Sequence, residues 1–201
     1  MLTSRPEPDN QSTEARLEDA ALRLLRKHGV LAGLNLREVA QEAKVARGLV
    51  YHHFGSRRSL LRSALSRSVL SRRSAVVRRE KLRARERLEA FFSWAVKDPE
   101  SIQLMTLLIL DGDQGVSALP YAEYAREANV RDVGKGLLAD DIDVDALQAG
   151  LLAATYGWAV YRRSFAAALG RAPEDLDADV LEMIARMWEP RGGPKGEPGD
   201  D

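Results

Sequence analysis

The sequence predicts an all-α protein of about nine helices. Apolar residues recur at spacings of three and four along most of the chain, which is the period of one buried helix face. The two-residue alternation typical of half-buried strands does not occur. Of the 201 residues, 45% are hydrophobic and 30% are charged, which provides enough apolar side chain for a core and excludes a chain disordered throughout.

The N-terminal residues predict a flexible arm, then a bracing helix, then a short second helix. Residues 1–12 are polar, contain two prolines and are assigned to the arm. The first helix is predicted over 13–28, because apolar residues follow one face until Gly29 stops the helix. The second is predicted over 36–43, and Asn35 before it is a favourable N-cap.

A three-residue turn at 44–46 leads into a third helix, predicted over 47–53. Gly55 and Ser56 end that helix and cap a fourth, long helix that extends towards Arg79. Two short helices joined by such a turn behind a longer helix form the helix-turn-helix arrangement. Its predicted core residues are Val39, Ala40, Val45 and Val50.

The remaining helices are separated by Gly, Pro and Asp residues typical of turns. They are predicted over 84–97, 100–111, 118–138, 143–169 and 175–188. We therefore expect a three-helix helix-turn-helix domain at 13–58 and a helical ligand-binding and dimerisation domain at 59–188. Residues 189–201 are rich in Pro and Gly and are predicted to be a disordered tail.

The two parts of the chain carry opposite charge, although the formal net charge of the whole chain is zero. Residues 1–87 contain 20 Lys or Arg and 9 Asp or Glu, whereas residues 88–201 contain 10 and 21. A basic N-terminal part is typical of a surface that binds nucleic acid or another polyanion. A solvated surface that happens to segregate by charge is the alternative.

Several functional classes are excluded by the residues present. The chain has no cysteine, which excludes disulfides, thiolate zinc sites and cysteine nucleophiles. Its three histidines have no metal-ligand spacing, and no nucleophile elbow or Gly-rich phosphate loop occurs, so neither an enzyme nor a cofactor is expected. The apolar stretch 149–161 is shorter than the ~20 residues of a membrane span. With no export signal at its N-terminus, the protein is expected in the cytoplasm.

The segment 45–61, VARGLVYHHFGSRRSLL, resembles the DNA-binding signature of the tetracycline-repressor (TetR) family. That signature has a turn, a short recognition helix with small and aliphatic residues, then Tyr-x-His-Phe, a small residue, Ser and a basic residue. The matching residues here are Gly48, Val50, Tyr51, His53, Phe54, Ser56 and Arg57. The resemblance covers about residues 13–62 and beyond them extends to helix number, helix length and the Asp98-Pro99 break.

The resemblance implies which side chains meet DNA. Arg47, Leu49 and His52 would face base edges in the major groove, and an arginine can form a bidentate pair with guanine. Tyr51, His53 and Arg57 would contact phosphates or brace the domain. The full set of predicted DNA-binding residues is Arg37, Ala46, Arg47, Gly48, Leu49, Tyr51, His52, His53, Arg57 and Arg58.

Three residues depart from the family pattern. Lys44 stands where the turn usually has glycine, and a left-handed lysine would cost on the order of 1 kcal/mol. Ala46 replaces the usual Ser or Thr cap of the recognition helix. Arg58 follows Arg57 where an acidic residue is common, and two cations in a first helical turn are unfavourable unless an anion such as phosphate binds there.

The last two helices carry the residues predicted for a homodimer interface. In the family these helices pair with their symmetry mates as a four-helix bundle. The predicted interface residues are Leu147, Gly150, Leu151, Ala154, Trp158, Val180, Ile184, Met187 and Trp188. Because an intramolecular core would use similar apolar stripes, that alternative stays open.

The middle helices carry aromatic and methionine side chains that could bind a small hydrophobic or aromatic effector. The predicted ligand-binding residues are Phe92, Trp94, Met105, Leu108, Tyr156 and Tyr161. A plain helical core would contain the same residue types. Asp111, Asp113 and Arg162 are either polar anchors for a ligand or surface charges, and the sequence does not decide between these functions.

The predicted function is a one-component transcriptional repressor that binds a palindromic operator in double-stranded DNA as a homodimer and is released by a small-molecule effector. Two alternatives stay open. One is a constitutive DNA-binding dimer without an effector, and the other is a protein-interaction dimer with a vestigial DNA-binding motif. No metal and no membrane partner are expected.

Overall fold

The structure, a computed structural model, describes residues 12–29, 34–70 and 82–187. Within these residues all nine regular elements are α-helices, which confirms the predicted fold class. The helices are α1 (Thr13–His28), α2 (Leu36–Glu42), α3 (Arg47–Phe54), α4 (Arg57–Leu70), α5 (Ala84–Lys97), α6 (Pro99–Leu110), α7 (Ala122–Gly134), α8 (Val144–Ala168) and α9 (Pro173–Arg186). None of these helices has both the length and the apolar character needed to cross a bilayer.

A first compact unit lies within residues 1–70 and 104–116 and contains α1 to α4. In it, α1 packs against α2, α3 and α4, so it braces the two short helices from behind. The centre of this unit is apolar, and Leu17, Val39, Val50 and Leu60 are almost completely buried there. Of the four predicted core residues, Val45 is the one that the structure leaves half-buried.

Local side-chain and backbone groups fix where the helices of this unit begin and end. The Oδ1 atom of Asn35 accepts a hydrogen bond from the N–H of Arg37 at 2.9 Å, and Gly29 ends α1 with a φ of 78°. Ser56 caps α4, since its Oγ accepts from the N–H of Ser59 at 3.1 Å. These predicted signals are confirmed, and each satisfies a terminal backbone group that the helix itself leaves unpaired.

A second compact unit lies within residues 71–103 and 117–201. There α8 packs against α5, α7 and α9, and α5 also packs against α7 and α9. The core residues of this unit are Ala84, Leu88, Phe92, Leu138, Trp158, Ala166, Leu176, Ile184 and Ala185. Most of the described helices end within two residues of their predicted bounds.

The predicted helix over 118–138 is too long at both ends. Tyr121, directly after Pro120, adopts a left-handed conformation with a φ of 65°, so α7 begins only at Ala122. At the other end α7 stops at Gly134, and Gly136 has a φ of 69°. A left-handed residue interrupts the helical backbone. The spacing of apolar residues, which predicted the longer helix, carries no information about such a residue.

Several predictions concern residues that the structure does not describe. These are the N-terminal arm up to residue 11, the extension of the fourth helix beyond residue 70, the C-terminal tail and Trp188. The predicted domain boundary after residue 58 also stays a prediction, although α4 lies with α1 to α3 in the first unit.

The turn between α2 and α3 adopts the left-handed conformation for which glycine is usual. Lys44 has a φ of 55°. Arg16 of α1 reaches across to this turn, and its Nη2 donates to the carbonyl oxygens of Ala43 at 2.6 Å and Lys44 at 3.2 Å. The turn is therefore held by the bracing helix as well as by its own backbone.

Lys44→Gly is expected to raise the free energy of unfolding by about 0.5–1 kcal/mol, because glycine adopts a positive φ without steric cost. Equilibrium urea denaturation monitored by circular dichroism measures the change. Lys44→Ala is the matched control, since it removes the same long side chain and keeps the unfavourable conformation. Equal stabilities of the glycine and alanine variants would contradict the expectation.

Candidate DNA-binding surface

One side of α3 is buried and the other is exposed. Val50 is only 1% exposed and fixes the helix on the unit's core, whereas Tyr51 is 47% exposed. Arg47, Gly48 and His52 are also exposed, and Leu49 between them is half-buried. The helix therefore projects polar and cationic side chains from a firmly packed base.

The N-terminus of α3 is open to an incoming ligand. Ala46 is the N-cap residue, and it provides no side-chain hydrogen bond to the first backbone N–H groups. The guanidinium of Arg47 lies over the ring of Tyr51, with 5.8 Å between its carbon and the ring centroid, a cation–π distance. This contact orients Arg47 along the exposed side of the helix.

His53 braces α3 against α1. Its Nδ1 lies 3.1 Å from Oε1 of Glu14, and its side chain is 22% exposed. The ring also packs at 5.2 Å from the ring of His52 and at 6.3 Å from that of Phe54. Of the two functions that the family resemblance implies for this residue, the geometry favours bracing.

The first turn of α4 carries two consecutive arginines in different surroundings. Arg57 is exposed and makes no ion pair with any residue that the structure describes. Arg58 forms an ion pair with Asp111, which follows the C-terminus of α6. One turn later, Nε and Nη2 of Arg62 donate to Oδ2 of Asp113 at 3.0 and 2.7 Å. Carboxylates of the same chain therefore neutralise Arg58 and Arg62.

The buried carboxylate of Asp113 is ionised. The hydrogen bonds from Arg62 hold the pKa of this carboxyl below its usual value, and the N–H of Gly115 adds a further one at 2.9 Å. The sequence left open whether Asp111 and Asp113 are ligand anchors or surface charges. The structure uses both as partners of α4.

Three exposed cations of the first unit lie at helix N-termini. Arg37 is in the first turn of α2, Arg47 begins α3 and Arg57 begins α4, and all three side chains are exposed. Helix N-termini carry a partial positive charge from unpaired N–H groups, which adds to the charge of these arginines. Such an arrangement can bind the phosphates of a nucleic acid backbone.

The second unit has an exposed apolar face on α8 and α9, which we call the α8–α9 face. Five large apolar side chains on these helices and at the end of α8 are between 48% and 72% exposed. They are Tyr161, Phe165, Leu169, Met183 and Met187. Met187 also lines a groove of about 210 Å³ together with residues of α8 such as Ala146 and Gly150. Large apolar side chains exposed in this number are typical of interaction sites.

The predicted interface residues divide between this face and the interior. Gly150 and Met187 are exposed on the face. Trp158 and Ile184 are core residues, 7% and 2% exposed within one chain, and Ile184 also lines the groove, so their assignment to an interface stays a prediction. The remaining described residues, Leu147, Leu151, Ala154 and Val180, are half-buried against the same core. The apolar spacing identified the helices but not which side of each helix is exposed.

The predicted ligand-binding residues lie in several places. Trp94 and Tyr156 flank Phe91, at ring distances of 5.4 and 5.8 Å from it, and form an aromatic cluster. Burial raises the pKa of the Tyr156 hydroxyl to about 12, so it is protonated and donates to the carbonyl oxygen of Ala118 at 3.2 Å. Phe92 belongs instead to the core of the second unit.

The other predicted ligand residues lie elsewhere. Tyr161 is 56% exposed and packs against Phe165 on the α8–α9 face, not in the aromatic cluster. Met105 and Leu108 are buried in the first unit. Arg162 pairs with Asp177 at 2.6 Å, so it joins α8 to α9.

Thr155 is a polar residue that the sequence analysis missed. It is fully buried in α8, next to Tyr156, and its Oγ1 has no hydrogen-bond partner among the described residues. A buried hydroxyl without a partner is unfavourable by about 1–3 kcal/mol. Nothing in the sequence distinguishes Thr155 from an ordinary helix residue.

No group of His, Asp or Glu in the described residues is arranged to hold a metal ion.

Comparison with known proteins finds matches both to the motif and to most of the chain. A family model described as bacterial regulatory proteins, tetR family, matches residues 17–64. The HTH-type transcriptional repressor SCO4008 of Streptomyces coelicolor is 30% identical over 161 residues, covering 76% of this chain and 80% of that protein.

Solved structures share the fold. The reduced form of NemR from E. coli matches with a TM-score of 0.67 at 16% identity, covering 88% of this chain and 97% of that one. FadR from Bacillus subtilis, crystallised with stearoyl-CoA, matches with a TM-score of 0.61 at 16% identity, covering 84% and 96%. At such identities the likeness concerns the fold alone, and it extends over nearly the full length of each neighbour.

Proposed function

Since this chain belongs to the TetR family of bacterial transcriptional regulators, we propose that it represses transcription by binding a palindromic operator as a homodimer, through α3 and the N-terminus of α4. The observation that supports this most strongly is the exposure of Arg47, Tyr51 and His52 on a helix fixed by the buried Val50. The major groove admits one such helix, and its side chains then reach base edges.

The contacts divide into base reading and backbone binding. Arg47 and His52, with the half-buried Leu49, are the candidates for base edges, because they lie on the exposed side of α3. Tyr51 and Arg57 are the candidates for phosphate contacts. Arg57 is at a helix N-terminus and has no carboxylate partner among the described residues, so binding a phosphate breaks no existing ion pair.

Dimerisation would use the α8–α9 face. A single helix-turn-helix reads few base pairs, and a two-fold dimer places two copies about one helical turn of DNA apart. Burying Phe165, Met183 and Met187 against a second copy would remove large exposed apolar side chains from water. Small residues such as Gly150, in the groove that Met187 lines, would allow a close approach of helices.

A small-molecule effector would bind in the second unit near the aromatic cluster. Phe91, Trp94 and Tyr156 offer ring surfaces, and the hydroxyl of Thr155 offers one buried polar group on the same helix as Tyr156. Ligand sites commonly combine mostly apolar walls with few polar groups. FadR of Bacillus subtilis, a structural neighbour, was crystallised in complex with stearoyl-CoA, which supports an effector with a long apolar part for this chain.

Arg57→Ala is expected to weaken binding to every duplex, because one phosphate contact is lost. The slope of log binding constant against log salt concentration is expected to become less steep by about 0.9, the value for one phosphate. Fluorescence anisotropy with a labelled random-sequence duplex over a range of salt concentrations measures both quantities. The wild-type protein is expected to show a slope several times larger than this change.

Lys27→Ala is the matched control for this experiment. Lys27 is also an exposed cation of the first unit, but it lies at the C-terminal end of α1. The end of α1 that contacts α3, through Glu14 and His53, is roughly 20 Å away along the helix. We expect no change of slope for this variant. Equal slopes for the Lys27 and Arg57 variants would argue against the assignment of Arg57 to the DNA-binding surface.

A further inference from the structure

Arg57 and Arg58 are adjacent in the first turn of α4, yet one carries an ion pair and the other does not. The guanidinium of Arg58 is bound by the carboxylate of Asp111, and both side chains are half-exposed or more. Arg57 has no such partner among the described residues. The chain therefore neutralises one of the two cations that the proposed DNA-binding surface presents at this helix end.

Backbone hydrogen bonds fix the position of the Asp111 main chain. The N–H of Asp111 donates to the carbonyl oxygen of Leu107 at 2.9 Å, which continues the hydrogen bonding of α6. Gly112 follows with a φ of 76°, and the N–H of Asp113 turns back to the carbonyl oxygen of Leu108 at 2.9 Å. Because the helix end is closed in this way, Asp111 is not a freely moving surface residue.

A second ion pair fixes the same loop on α4. Arg58 and Arg62 are four residues apart and lie on one side of the helix, and Arg62 binds the buried Asp113. A Cβ added to Gly115 would lie 3.1 Å from the end of the Arg62 side chain, so the loop packs closely on that side chain. The Arg62–Asp113 pair therefore keeps Asp111 within reach of Arg58.

We propose that Asp111 competes with DNA phosphates for Arg58 and so lowers the affinity of this protein for all duplexes. This inference rests on the proposed DNA-binding function. An ion pair between side chains this exposed contributes little to stability, so it opens at small cost. A phosphate that binds Arg58 must nevertheless displace Asp111 first. This competition is independent of base sequence.

Asp111→Asn is expected to tighten binding to a random-sequence duplex by about two- to fivefold. This is the change in affinity that corresponds to the free energy of opening one exposed ion pair. The measurement is fluorescence anisotropy on the full chain at a fixed, moderate salt concentration. Arg58→Gln is expected to weaken binding less than Arg57→Ala does, since Arg58 is already neutralised. In the Arg58→Gln background, Asp111→Asn is expected to change affinity very little.

The double variant separates local competition from general charge. If Asp111→Asn tightened binding equally with and without Arg58, or did not tighten binding at all, the proposal would be overturned. Asp140→Asn is the control, because it removes an exposed charge of the second unit, and it should leave affinity unchanged. Thermal melting shows that each variant is folded. If the wild-type protein bound no duplex at any salt concentration, the proposed function itself would fail.

Discussion

Replacing Asp132 with alanine is expected to lower the free energy of unfolding by about 3–5 kcal/mol. This carboxylate in α7 is 1% exposed, and its Oδ2 accepts from Nη1 of Arg87 in α5 at 2.7 Å. Arg131 approaches the other oxygen at 3.3 Å. Without Asp132, the guanidinium of Arg87 would stay largely buried with its charge uncompensated, which is the main cost.

The neighbours of Arg87 show why the loss cannot be repaired locally. Its guanidinium also donates to the carbonyl oxygen of Leu82 at 2.8 Å and to Oδ1 of Asn129 at 2.7 Å. These oxygens are neutral and can satisfy hydrogen bonds, but they do not balance a charge. Arg87 of α5 is thereby joined to Asn129 and Asp132 of α7. The expected loss therefore concerns packing of the second unit and not the DNA-binding surface.

The matched control is Asp179→Ala, which removes a carboxylate paired with Arg171 at 3.4 Å, where both side chains are about half-exposed or more. Such a pair is worth about 0–1 kcal/mol. Urea denaturation of both variants gives the comparison. A loss below about 1 kcal/mol for Asp132→Ala would contradict our account of the Arg87 network.

Phe165→Asp is expected to weaken the proposed homodimer on the order of a hundredfold or more, and DNA binding with it. Phe165 is 48% exposed on the α8–α9 face and packs near Trp158 and Tyr161. In a two-fold dimer the substitution places two carboxylates in one apolar interface. Burying charged groups without partners costs several kcal/mol, and about 2.8 kcal/mol corresponds to a hundredfold change in affinity.

Sedimentation velocity at micromolar concentration distinguishes dimer from monomer. Val130→Asp is the matched control, because Val130 is also an exposed apolar residue of the second unit, 54% exposed, but lies on α7. Circular dichroism verifies that both variants are folded. If Phe165→Asp stayed dimeric, or if Val130→Asp dissociated to the same extent, the α8–α9 face would not be the dimer interface.

The sequence predicted best the features that neighbouring residues determine. Asn35, Gly29 and Ser56 act on backbone groups a few residues away, and the structure has them at the predicted helix ends. The family resemblance marked Lys44 as a position where the turn usually has glycine, and the structure has this residue in the left-handed conformation. Tyr121 was not foreseen, because no local rule assigns a left-handed conformation to a tyrosine.

Features set by distant contacts could not be predicted in the same way. The partner of Arg58 is 53 residues away in the chain, so only the tertiary structure reveals the pair with Asp111. On α8, apolar spacing does not determine that Trp158 is buried and Phe165 exposed, since both fit an apolar stripe. The hydroxyl of Thr155 was missed for the same reason, because its importance comes from the absence of a partner among described residues.

The central claim is that α3 reads base sequence as one of two symmetric copies. Selection of bound fragments from genomic DNA by the purified wild-type protein tests it most directly. We predict enrichment of a palindrome whose half-sites are centred about one helical turn, ~10 base pairs, or a multiple of it apart. Recovery of fragments without a shared sequence, or of a single unrepeated half-site, would contradict it.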